Sequence, residues 1–153
     1  MAVATVKMPE EFALKLSNLI ERTDKIIDDV VTAGGKVALD ITMGNLKSAV
    51  SGGSSGELVN SLGLSPPDID NNGVHNVKVG FNEPRLHQNA SKGKRSYNVR
   101  TNAMIANVLE YGRPAKDGSI QKARPFIKPS KRQAKTPVED AMRAEFDRQV
   151  ESI

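Results

Sequence analysis

Apolar residues recur at helical spacing through the first fifty residues, and no other feature constrains the fold as strongly. Phe12, Leu16, Leu19, Ile26, Ile27 and Val30 stand three, four or seven positions apart. After Gly34-Gly35 the stripe resumes at Leu39, Met43, Leu46 and Val50. That period matches one face of an α-helix and not the alternation of a strand. Pro9 suits a first helical turn, and Glu10 and Glu11 suit the positive end of the helix dipole. Glycine inside a helix costs about 1 kcal/mol relative to alanine, so the pair predicts two helices, or one helix kinked there, over roughly 9–33 and 36–50.

The rest of the chain reads as mixed. Ser51–Gly56, "SGGSSG", is a flexible joint. Ser54 and Glu57 have capping-box spacing, which predicts a short helical turn there, and Pro66-Pro67 stops it. "IDNNGV" predicts a turn. Val77, Val79 and Phe81 alternate as a half-buried strand does, and "SYNVRT" predicts another short strand. Residues 85–96 form a polar, basic loop, expected to be mobile together with 51–56. Ala103 to Tyr111 predicts a helix with Asn102 as its cap and Gly112 as its stop. Residues 113–123 predict a loop, and Phe126-Ile127, held between prolines, a short extended segment. Thr136-Pro137-Val138-Glu139 predicts a helix start, followed by Val138, Met142, Phe146 and Val150 at steps of four. The expectation is one α+β domain spanning 1–153: long N-terminal helix, small antiparallel sheet, short helix and C-terminal helix.

Chemistry is sparse. The chain has no cysteine, so disulfides and thiolate chemistry are excluded. Its two histidines, His75 and His87, have no second histidine or carboxylate at metal-ligand spacing. The pairs Glu10-Glu11, Asp28-Asp29 and Glu139-Asp140 are adjacent, and adjacent helical positions point about 100° apart, so they read as solvated faces. No phosphate-binding glycine loop is complete. The reading is of a non-enzyme with no cofactor and no metal. No apolar run approaches the ~20 residues needed to cross a bilayer, and the first residues lack the pattern of a secretory leader. A soluble protein without membrane contact is expected.

Charge is uneven. Residues 1–70 carry 6 basic and 10 acidic groups, residues 71–153 carry 16 and 8, and residues 83–135 alone carry 13 and 3. Such polarity suits a nucleic-acid surface, or an acidic half of one copy meeting a basic half of the next. With hydrophobic residues at 38% and aromatic residues at 4%, the core is thin, or completed by another subunit.

Two elements carry a resemblance. "ANVLEYG" followed by "ARPFIKPS" resembles the Glu-aromatic-Gly and Ala-Arg-Pro-Phe elements of the tail-component family of long-tailed bacteriophages, also called neck, head–tail joining or tail-completion proteins. The positions are Glu110, Tyr111 and Gly112, then Ala123, Arg124, Pro125, Phe126, Ile127 and Pro129. "GELVNSL", with Gly56, Leu58 and Ser61, resembles a further family element that follows a long helix. The order of elements is also similar over most of residues 9–152. Departures are Arg113-Pro114 after the glycine, Ser130 in place of alanine, Ile105 in place of tyrosine, and a longer basic stretch at 85–101.

The resemblance implies an α+β structural subunit that assembles into a ring, commonly sixfold, joining the tail tube to the head connector. Its location would be the virion neck or tail, after assembly in the host cytoplasm. Its partners would be copies of itself, the connector and the tail-tube or tail-terminator proteins, with DNA passing through the channel. Arg85, Lys92, Lys94, Arg95, Arg113, Lys116 and Lys122 are the candidate interface residues, and Arg124 is a candidate partner for Glu110. A basic nucleic-acid-binding accessory protein is the alternative.

Overall fold

The computed structural model describes residues 10–50, 52, 56–83 and 101–152. Within them, α1 is Glu10–Glu21, α2 Thr23–Ala49, α3 Glu57–Ser61, α4 Asn102–Tyr111 and α5 Ile127–Glu151. The strands are β1 Leu62–Leu64, β2 Asp68–Ile69, β3 His75–Asn76, β4 Val79–Phe81, β5 Arg113–Pro114 and β6 Ile120–Gln121. The class is α+β as expected. The strands form three separate antiparallel ribbons, β1–β4, β2–β3 and β5–β6, where a small sheet was expected.

The frame of the molecule is α2 against α5. Asp29 accepts from Gln149, Gly34 lies under Val138 and Met142, and Asn45 donates to Ser130 Oγ (2.8 Å) and Gln133 (2.9 Å). As the number rises on α2 it falls on α5, so the helices are antiparallel. The seam is small and partly polar: Ser130 and Ala134 are buried on α5, while Phe146 and Val150 of the expected stripe are exposed.

Gly34-Gly35 does not interrupt the helix. α2 runs through both, and both are buried. A Cβ on Gly34 would stand 2.7 Å from Met142 Cγ, and one on Gly35 would stand 2.5 Å from Val77 Cγ2 and 2.8 Å from Leu64 Cδ1. The glycines let α5 and the strand layer approach the α2 backbone, and that close packing offsets their poor helix propensity. The break falls at Arg22 instead (φ −100°, ψ 1°). There the Thr23 hydroxyl donates to Leu19 O (2.8 Å), the back-bonding that bends helices.

The core gathers Leu46 and Ala49 from α2, Leu58 from α3, Leu62 from β1, Ala106 and Leu109 from α4, and Phe126. Phe126 is 0% exposed and meets Phe81 edge-on, with ring centroids 6.3 Å apart. Burying it contributes about 2–3 kcal/mol. β1 pairs with β4 (Leu62↔Phe81, Leu64↔Val79), and this ribbon brings Phe81 over the core. The β2–β3 turn is tied by Asp70 Oδ1, which accepts from Asn72 N and Val74 N, with Gly73 at φ +77°.

Two caps differ from expectation. α4 is capped by Thr101, whose hydroxyl accepts from Met104 N at 3.1 Å. Asn102 is instead buried and donates to Asn82 O, tying α4 to the end of β4. α3 starts after Gly56 in a left-handed conformation, and Ser54 lies outside the described residues. The "SYNVRT" strand and the 85–96 loop also lie outside them, as does most of 51–56. Among the described residues no helix is long and apolar enough to cross a membrane.

Candidate functional site

Glu110 and the start of α5 form the most organised polar site. α5 begins at Ile127, nine residues before the expected start at Thr136, and Phe126-Ile127 is its N-terminus, not an extended segment. A helix start leaves its first N–H groups without partners. Here the Glu110 carboxylate accepts from Phe126 N (2.8 Å), Ile127 N (2.8 Å) and Lys128 N (3.0 Å). The next residue, Pro129, has no N–H to satisfy. Ser130 N then makes the first helical bond to Phe126 O (3.2 Å), and the Ser130 hydroxyl donates to the same oxygen. A side chain sixteen residues upstream thus caps the helix, which hides the start from any local capping signal.

Glu110 is only 5% exposed. Burial pushes its carboxyl up, but the N–H groups of Ile127, Phe126 and Lys128, and the Lys128 charge, together hold it below the ordinary value of 4.5. Near the end of α4 the carboxylate meets that helix's negative pole, and the positive pole of α5 offsets this. Arg124 does not pair with Glu110. Its side chain is exposed and only its backbone joins the site, through Arg124 N–H to Leu109 O (2.7 Å). Backbone donors already occupy both carboxylate oxygens.

Gly112 completes the brace. Its N–H donates to Val108 O (2.7 Å), and at φ +71° it ends α4. A Cβ there would lie 2.5 Å from Gln121 O and 2.9 Å from Ala123 N. Gly112 is therefore required both by its backbone angle and by the segment crossing over it. Glu110, Gly112, Ala123, Pro125, Phe126, Ile127 and Pro129, singled out from the sequence as motif residues, come together as this one joint. Leu58 is in the core, and Ser61 Oγ donates to Leu58 O (2.8 Å), closing α3.

From the joint projects an exposed hairpin where a loop was expected. β5 pairs with β6 (Arg113↔Gln121, Pro114↔Ile120). Asp117 Oδ1 accepts from Ser119 N (2.9 Å) and Ser119 Oγ (2.6 Å), and these bonds hold its carboxyl below the usual range. Tyr111 (77% exposed) and Ile120 (76%) stand on this surface with Arg113, Lys116 and Lys122. The other candidate interface residues, Arg85, Lys92, Lys94 and Arg95, lie outside the described residues, as does His87.

His75 has neighbours that its sequence position does not show. Nδ1 lies 2.8 Å from Asp28 Oδ1 and Nε2 lies 3.7 Å from Asp24 Oδ1. Asp24 and Asp28 are one turn apart on α2, so they clasp the β2–β3 ribbon onto the helix. Among the described residues no group of histidine and carboxylate side chains could hold a metal ion. Comparison of the chain with protein-family models, with curated proteins and with solved structures found nothing that matches it.

Proposed function

We propose that this chain is a structural subunit of the bacteriophage head–tail interface, a neck or tail-completion protein that assembles as a ring between tail tube and head connector. The resemblance of the ordered motifs supports the identity. The observation that carries self-assembly is α1. Pairing between α2 and α5 runs only as far as Asp29 and Gln149, close to the end of α5 at Glu151. α1 meets the rest of the fold chiefly where it joins α2. Leu14 is 64% and Ile20 68% exposed, an apolar surface on a helix without an opposing layer among the described residues. A second copy or a ring neighbour would supply that layer.

A ring repeats one heterologous contact until it closes. The basic hairpin, with Tyr111 beside it at the end of α4, and the acidic, apolar α1 offer two unlike surfaces for such a contact. In the virion the ring would be a hexamer contacting connector, tail-tube or tail-terminator proteins. The test is the mass of the purified protein by light scattering, with negative-stain images of the protein and of virion tails. A mass several times that of the chain is expected. Leu14→Asp with Ile20→Asp should lower it towards the monomer while leaving circular dichroism unchanged. A protein that is strictly monomeric and absent from virion tails would exclude this function.

A further inference from the structure

Because α5 starts at Ile127, four cations that the sequence scatters through an apparent loop fall on one helical surface. Lys128, Lys131, Arg132 and Lys135 stand at steps of three, four and seven, within an arc of about 100°. All four are exposed. No acidic residue occurs between Asp117 and Glu139, so the strip is uninterrupted by an acid until Glu139, one turn past Lys135. Among the described residues none of the four forms an ion pair. Lys122 and Arg124, also exposed, lead into the strip from the joint at Glu110.

Several acids near the far end of the same helix pair are already engaged. Asp24 and Asp28 hold His75, Asp29 holds Lys25 and Gln149, and Glu145 holds Arg148. Lys25 and Arg148 are thus paired at that end, whereas the four cations of the strip are not. Four unpaired cations within about two helical turns fit the regular negative charge of an external polyanion. The strip is about 10 Å long at 1.5 Å per residue. Each strand of duplex DNA carries one phosphate per about 3.4 Å of axis, so the strip faces about three phosphates of one strand.

We infer that the α5 strip Lys128–Lys131–Arg132–Lys135 is a sequence-independent binding surface for the phosphate backbone of duplex DNA. The inference does not rest on ring assembly and can fail or hold separately from it. The experiment is fluorescence anisotropy of the full chain with a labelled random-sequence duplex, titrated at several salt concentrations between 50 and 200 mM. Binding is expected to weaken linearly with log salt. Replacing the four residues by glutamine should lower affinity about tenfold or more near 0.1 M salt and reduce the log–log slope by about 3. Lys36→Gln with Arg143→Gln, on the same two helices outside the strip, should leave the slope unchanged. All variants are surface changes, and matching thermal melts establish that they fold.

No binding at 50 mM salt overturns the inference. So does a quadruple variant that keeps the full slope. If the quadruple variant loses self-association while DNA binding is unaltered, the strip serves a second copy and the inference also fails.

Discussion

Glu110 does the work of a cap from another element, and its replacement should show it. Glu110→Ala leaves buried donors at the head of α5 unpaired, and chemical denaturation should show a loss of about 2–3 kcal/mol. Glu110→Gln keeps an acceptor and should lose less. Acid should have the same effect as substitution. The folded-state carboxyl lies below its ordinary value of 4.5, so its stabilisation is complete above that value and disappears as pH falls through the folded pKa. The wild type should weaken as pH falls below 4.5, and Glu110→Gln should flatten that part of the profile. Glu145, held at about 2 by its Arg148 and Gln149 bonds, titrates lower and lies on the surface, where solvent screens its contribution. Glycines offer a second test at this scale. Gly112→Ala meets both a positive φ and the Gln121 carbonyl, whereas Gly118→Ala, at φ +83°, meets open space. Thermal melts should show a loss of about 1 kcal/mol at Gly118 and a clearly larger one at Gly112.

At the scale of elements, α2 contains its own controlled comparison. Gly44 has nothing within 4 Å of its would-be Cβ, while Gly35 faces the stiff Val77 side chain at 2.5 Å. Gly44→Ala should raise stability by about 0.5–1 kcal/mol. Gly35→Ala should lower it, and Gly34→Ala should fall between, because Met142 can yield. In α5, Pro137 sits in the helix interior and cannot donate to Gln133 O. Pro137→Ala should raise the melting temperature, by the equivalent of about 1–3 kcal/mol. The same elements show what the sequence could reveal. The stripe of α2 was legible because packing follows its apolar residues. The seam of α5 was not, because its buried positions are Ser130 and Ala134 while Phe146 and Val150 face outward. Its start was hidden because the cap is Glu110 and not a neighbouring Thr136. Gly34-Gly35 read as a breaker because propensity is a local quantity and the close approach of α5 is not. The motif residues at 110–129 were identified individually, yet nothing in their spacing announced that they form one joint.

Over the whole molecule, charge and packing divide between the two ends of the α2–α5 pair. The basic end combines the braced joint, the hairpin and the α5 strip, and the acidic end carries α1 with its exposed Leu14 and Ile20. The proposed self-association and the proposed DNA binding would therefore depend on different residues. Leu14→Asp with Ile20→Asp should alter the mass and spare the binding isotherm, while the glutamine variant of α5 should do the reverse. The pairing of α2 with α5 also has a consequence for the order of events during synthesis. α2 is complete by residue 49, but the helix that covers it begins only at 127. Contacts between such distant segments form late and slow the search for the native state. On the ribosome, which adds about 5–20 residues per second, the face of α2 that meets α5 stays uncovered for several seconds while the intervening chain emerges. A chain ended after Arg124 should therefore aggregate or bind chaperones, and circular dichroism should show little cooperative unfolding. The helix pair is in effect sealed by α5, so quality control meets an open α2 face until residues 127–151 have emerged.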